Sequence, residues 1–205
     1  MKQDIQVKLL EILNKLNGYF LYIKMGGSRS LPFIKNPSDY DIIVICKDAT
    51  DRDICMRLYR ENFNLKELRL EYKLDLHFIT LEYETNFLVN SIYPYFVLKT
   101  DLMYSTIKNY LPDRPLEYIL SQKQSIIANY KDKLFNKLLK DESTLYKHKF
   151  WYYAYTTLCI FKNESYELTE EQIYNINVLH DRKDEDFTFR KQLIDQIILD
   201  IKEAN

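Results

Sequence analysis

The chain is short of the residues that bend and staple proteins. Its 205 residues include only 3 Gly, 5 Pro and 3 Cys. Cys46, Cys55 and Cys159 are odd in number and lack zinc-ligand spacing, which argues against a disulfide framework or a structural zinc site and for a cytoplasmic, reducing setting. Net charge is also nearly absent, at −1, so the chain as a whole is no general polyanion binder. A membrane span is missing as well. The longest apolar stretch, Phe150 to Phe161, is broken by Thr156 and Thr157 and is too short to cross a bilayer. The first residues, Met1-Lys2-Gln3-Asp4, lead into a charged helical pattern with no signal-peptide core.

What remains is a globular composition, 46% hydrophobic and 29% charged, rich in tyrosine at 18 residues and long enough to bury a core. The scarcity of glycine gives weight to where it is spent. Two of the three stand together in Met25-Gly26-Gly27-Ser28-Arg29, and eleven positions after Ser28 comes Asp39-Tyr40-Asp41, followed by Ile42-Ile43-Val44-Ile45. Glycine permits positive φ and close backbone approach to a ligand. Carboxylates at i and i+2 of a strand point to one face and suit a hard cation such as Mg²⁺.

Periodicity predicts a helix over residues 2–16, with Ile5, Leu9, Ile12 and Leu16 as its apolar stripe and Gly18 as its stop. Strands are expected over Tyr19–Met25, over 40–46 and over Glu71–Ile79. A helix over Asp51–Phe63, capped by Thr50 or Asp51, separates the last two. In the third strand Leu74, Leu76 and Phe78 share one face, and Asp75 and His77 the other. Leu111-Pro112-Asp113-Arg114-Pro115 marks a boundary, beyond which only helical patterns occur: about 116–140 (stripe Ile127, Tyr130, Leu134, Leu138), about 144–162, a third opened by the capping box Thr169-Glu170-Glu171-Gln172, and about 187–203. The expected fold is α+β: a small mixed-sheet α/β domain over 1–111 and an all-helical domain over 112–205. Residues 121–163 hold eight Lys against three acids, and 164–205 eleven acids against five Lys and Arg.

The glycine–serine, Asp-x-Asp and Leu74-Asp75-Leu76 pattern resembles the DNA polymerase beta nucleotidyltransferase superfamily, in its small stand-alone bacterial and phage form, over roughly residues 18–80. The resemblance implies an enzyme that moves an NMP group from an NTP to an acceptor, with two divalent ions, Mg²⁺ or Mn²⁺. Asp39, Asp41 and Asp75 would be both metal ligands and catalytic residues, and Glu71 is the rival to Asp75. Gly26, Gly27, Ser28 and Arg29 would hold the triphosphate. From the helical domain, Lys149, Tyr153 and Thr156 would form a row toward the nucleotide, set against core packing of the same aromatics. His77 is weighed between substrate contact and a structural role. The acceptor would be a small molecule, a protein side chain or a tRNA-like RNA end. The alternative is a regulatory, antitoxin-like binding protein of the same fold.

Overall fold

The computed structural model describes residues 3–30, 33–83, 116–141 and 145–204. These form an α+β arrangement, a small three-stranded mixed sheet with helices and an all-helical C-terminal region. Among the described residues, 3–30 and 37–83 make one compact unit, and 33–36 with 116–204 make the other. The expected boundary at Leu111–Pro115 lies outside the described residues.

In the first unit, helix α1 (Gln3–Lys15) leads to strand β1 (Tyr22–Gly26), a 3-10 turn (Gly27–Ser30), strand β2 (Tyr40–Cys46), helix α2 (Ala49–Asn62), helix α3 (Leu65–Leu70) and strand β3 (Leu74–Thr80). The sheet order is β1-β2-β3, with β1 antiparallel and β3 parallel to β2. The central strand reads as a continuous apolar run because both its faces are covered. Tyr40, Ile42, Val44 and Cys46 join Leu74, Leu76 and the helical residues Ile5, Leu9, Ile12, Cys55, Tyr59 and Leu68 in the main core. Ile43 and Ile45 pack with Tyr22 on the opposite face. That opposite face also carries the polar residues of β2 and β3.

Several local expectations are corrected. Helix α2 is capped by Asp48, whose carboxylate accepts from the Thr50 and Asp51 N–H groups, so the cap precedes both residues expected for it. Helix α3 was not expected. Asn64 caps it by accepting from the Lys66 and Glu67 amides, and it ends at Glu71, which is therefore a helix cap and off the strand. Lys73, at φ 55°, turns the chain into β3. All three cysteines are free and buried.

The second unit contains α4 (Leu116–Ser121), α5 (Lys123–Lys133) continued by a π turn (Leu134–Leu138), α6 (Phe150–Asn163), α7 (Glu170–Asp181), a 3-10 turn (Asp184–Asp186) and α8 (Phe187–Glu203). The α5 stripe is buried as its spacing requires. The Thr169–Gln172 capping box forms in both directions. Helix α6 starts at Phe150, later than the periodicity suggested. Several buried neutral polar groups here are paired: the Tyr130 and Thr157 hydroxyls lie 2.6 Å apart. Asn177 accepts from the Lys35 amide at 2.9 Å and donates to the carbonyls of Phe33 and Ile173. The 33–36 segment is thus tied to α7 by the Asn177 amide, and also by Asn36, which donates to Asp181 at 3.3 Å.

Candidate metal and phosphate site

Parallel pairing of β2 and β3 sets Asp41 directly opposite Asp75, and side chains in register on neighbouring strands share a face. His77 follows two residues along β3 on that face. One ligand atom from each of Asp41, Asp75 and His77 lies within 4.8 Å of the other two. His77 Nε2 is 3.4 Å from Asp41 Oδ1 and 3.8 Å from Asp75 Oδ2. The hydrogen bond to Asp41, aided by the charge of Asp75 and opposed by burial, raises the His77 pKa above its usual value. Two carboxylates and an imidazole form a donor set that suits a divalent cation.

Gly26 closes β1 and Gly27 opens the 3-10 turn at φ 66°. A Cβ at Gly27 would stand 1.8 Å from Asp41 Oδ2. Only glycine meets both demands there, a left-handed backbone and no side chain against the carboxylate. The glycine and Asp41, fourteen residues apart in sequence, are therefore parts of one packed feature. Ser28 is buried, and its Oγ has no hydrogen-bond partner among the described residues. Arg29 lays its guanidinium 3.9 Å from the Tyr40 ring centre and donates to the Ser38 carbonyl at 3.4 Å. The ring stacking orients the fork and gives Arg29 a structural contact in its own right.

Asp39 stands one residue before β2 and accepts from the Ser38 hydroxyl. It lies outside the converging trio but lines a cavity of about 190 Å³ with Arg69, Lys73, Leu74 and Asp75. A larger cavity, about 320 Å³, adjoins Asp75 and His77 and is lined also by Tyr59, Arg60, Arg69 and Phe78. Burial, with the charge of Asp75, pushes the Tyr59 phenol up to about 12.

Sequence reasoning missed Arg69 and Lys24. Arg69 Nε and Nη2 both reach Asp75 Oδ1, at 3.2 and 2.9 Å. Its signal was present in Asn64 as a cap before an i, i+3 apolar pair, but six residues make a weak helical pattern. Lys24 is buried on the site's face of β1, opposite Ile43, hidden within an apolar run.

Lys149 and Tyr153 stand on the helical unit. Lys149 is exposed at the N-cap of α6, without a side-chain cap bond. Tyr153 is buried with its ring 3.9 Å from that of Tyr152. Thr156 is buried and donates to the Tyr152 carbonyl. Among the described residues no helix is long and apolar enough to cross a membrane. No protein-family model, curated protein or solved structure matches the chain.

Proposed function

We propose that the chain is a metal-dependent nucleotidyltransferase of the polymerase beta type, moving an NMP group from an NTP to an acceptor hydroxyl or amine and releasing pyrophosphate. The observation that carries this reading is the convergence of Asp41, Asp75 and His77 beside a glycine that must be glycine because Asp41 fills the space of its side chain.

Asp41, Asp75 and His77 would hold a divalent ion, Mg²⁺ or Mn²⁺, and Asp39 would complete the set for a second. Bound divalent ions neutralise charge on the triphosphate and favour in-line displacement at its α-phosphorus. The turn that Gly27 opens and the buried Ser28 hydroxyl, unpaired among the described residues, would supply contacts to phosphate oxygens. Asp75 Oδ2, which Arg69 leaves unforked, would be the oxygen that takes the acceptor's proton. The 320 Å³ cavity, with its Tyr59 and Phe78 rings, has room for a base or a small acceptor.

One observation favours the second reading, a binding protein of the same fold. Arg69 already neutralises Asp75, as a structural ion pair would. Incubation of the full chain with each α-labelled NTP, Mg²⁺ or Mn²⁺ and a cell extract separates the two. Label moving to RNA, protein or small molecules, and ceasing to move in Asp41→Asn, supports the enzyme. Absence of any transfer with every NTP and both metals supports the binding protein.

A further inference from the structure

Arg190, on α8, is 4% exposed, and its Nε and Nη2 are buried with no hydrogen-bond partner among the described residues. A guanidinium carries five donors in a planar fork and stays charged. Placing one inside a protein without a carboxylate is among the costlier arrangements available to a side chain. Helix α8 packs against α5, α6 and α7, and each of these three contributes another basic group. Lys133 ends α5, His148 precedes α6 and Arg182 caps α7.

The charges act on one another. Burial, then Arg182, pushes Arg190 down to about 10. Burial, then Lys133 and Arg182, lowers His148. Among the described residues no carboxylate joins the charges that shift these two groups. His148 Nδ1 accepts from the Phe150 amide at 3.0 Å, which leaves its proton on Nε2 as a further donor. Four segments of the helical unit thus bring three cations and a neutral imidazole together, with no carboxylate among the described residues that shift Arg190 and His148.

We propose that Arg190, Arg182, His148 and Lys133 form an anion-binding site for a phosphate group, with the Arg190 fork as its principal donor. A phosphate fits better than a carboxylate because its three or four acceptor oxygens match donors arriving from four directions. The phosphate is either a free inorganic ion or the terminus of a phosphomonoester. The site is independent of the Asp41–Asp75–His77 centre and would exist whatever reaction that centre carries out.

The test is the melting temperature of the full chain in EDTA, titrated with inorganic phosphate or with methyl phosphate, ionic strength being held constant with chloride. At about a hundredfold excess over Kd the wild type should gain about 5–10 °C, and Arg190→Met should gain nothing. A gain with inorganic phosphate identifies the free ion as sufficient; a gain with methyl phosphate alone identifies the ester; both support the site. No gain with either anion, or an equal gain in Arg190→Met, overturns it. Should Arg190→Met fail to fold, the wild type still answers by nitrogen-15 NMR. The Arg190 Nε–H resonance, assigned by its loss in Arg190→Lys, should move on titration with phosphate. An unmoved resonance overturns the proposal.

Discussion

The charged clusters described in the two units are compensated differently. In the sheet unit the carboxylates of Asp41 and Asp75 each have a basic partner, His77 for the first and Arg69 for the second. In the helical unit Tyr130, Thr157 and Asn177 are hydrogen-bonded, yet Arg190 is buried with its Nε and Nη2 unpaired among the described residues and Arg182 acting on it. A compensated acidic site is stable as it stands and can exchange a partner for a metal ion. An uncompensated basic site lowers stability until an anion arrives. The difference teaches that the first site is built by strand register, and the second by packing α5, α6 and α7 against the helix that carries Arg190.

The largest effect should come from breaking the compensated side. Asp41→Asn keeps nearly the same volume while removing the charge that both His77 and a metal ion require. Transfer of label from NTP should fall to background, and calorimetry should show loss of divalent-ion binding. The fold should persist, since Asp41 is outside the main core. Retained metal affinity in that variant would dissolve the contrast, because the acidic cluster would then be a structural charge pair only.

Gly27→Ala tests the same region through the backbone. The left-handed conformation costs an L-residue roughly 1–2 kcal/mol, and the new Cβ would meet Asp41 Oδ2 at 1.8 Å. Loss of stability in urea should therefore exceed the backbone cost alone and be accompanied by weaker metal binding. A purely backbone-sized loss with unchanged metal affinity would show that Asp41 has room to move aside.

How much of this was legible depended on range along the chain. The Thr169–Gln172 box, the α5 stripe and the apolar Ile42–Cys46 run of β2 were readable because each is set by neighbours within a few residues. The Gly27–Asp41 spacing was readable as a pattern, but its cause, a carboxylate lying where a Cβ would be, belongs to the β1–β2 pairing. Asp75 and His77 could be put on one face by alternation; the parallel register that brings them to Asp41 could not. Helix α3 was missed because six residues give too little periodicity, and Arg69 was missed with it. Arg190 looked like any charged residue on an amphipathic helix. Its burial, and the lack of an acid to meet it among the described residues, arise only when α5, α6 and α7 close around α8.

Asn177 sharpens the comparison within the helical unit, since it is a buried polar group that is fully used. Asn177→Ala removes partners from the Lys35 amide and from the Phe33 and Ile173 carbonyls. A loss of about 1–3 kcal/mol in urea unfolding is expected, with faster hydrogen exchange at the Lys35 amide. Arg190→Met should cost less than this, or raise stability, because an apolar side chain replaces a buried unpaired charge. If Arg190→Met proves the more damaging of the two, Arg190 is structurally paired in solution and the contrast between the units fails.

The smallest expected effect is a pH dependence located in the basic cluster. Burial and the charges of Lys133, from α5, and Arg182, from the end of α7, hold His148 below the ordinary histidine value of 6.5, while its Nδ1 accepts the Phe150 amide of α6. Arg182 also acts on Arg190, from α8. The folded state therefore favours neutral His148 more than the unfolded chain does. Its contribution to stability is complete above 6.5 and is lost as pH falls through the lowered value, because a protonated ring can no longer accept the amide hydrogen bond and adds a further cation. Urea midpoints measured between pH 7 and pH 5 should decline, and the decline should shrink in His148→Asn, which keeps an acceptor without a titrating group. Phosphate should flatten the same slope in the wild type, since a bound dianion offsets the charge that makes protonation unfavourable. An acid slope that is identical in His148→Asn would place the pH response elsewhere and remove His148 from the cluster.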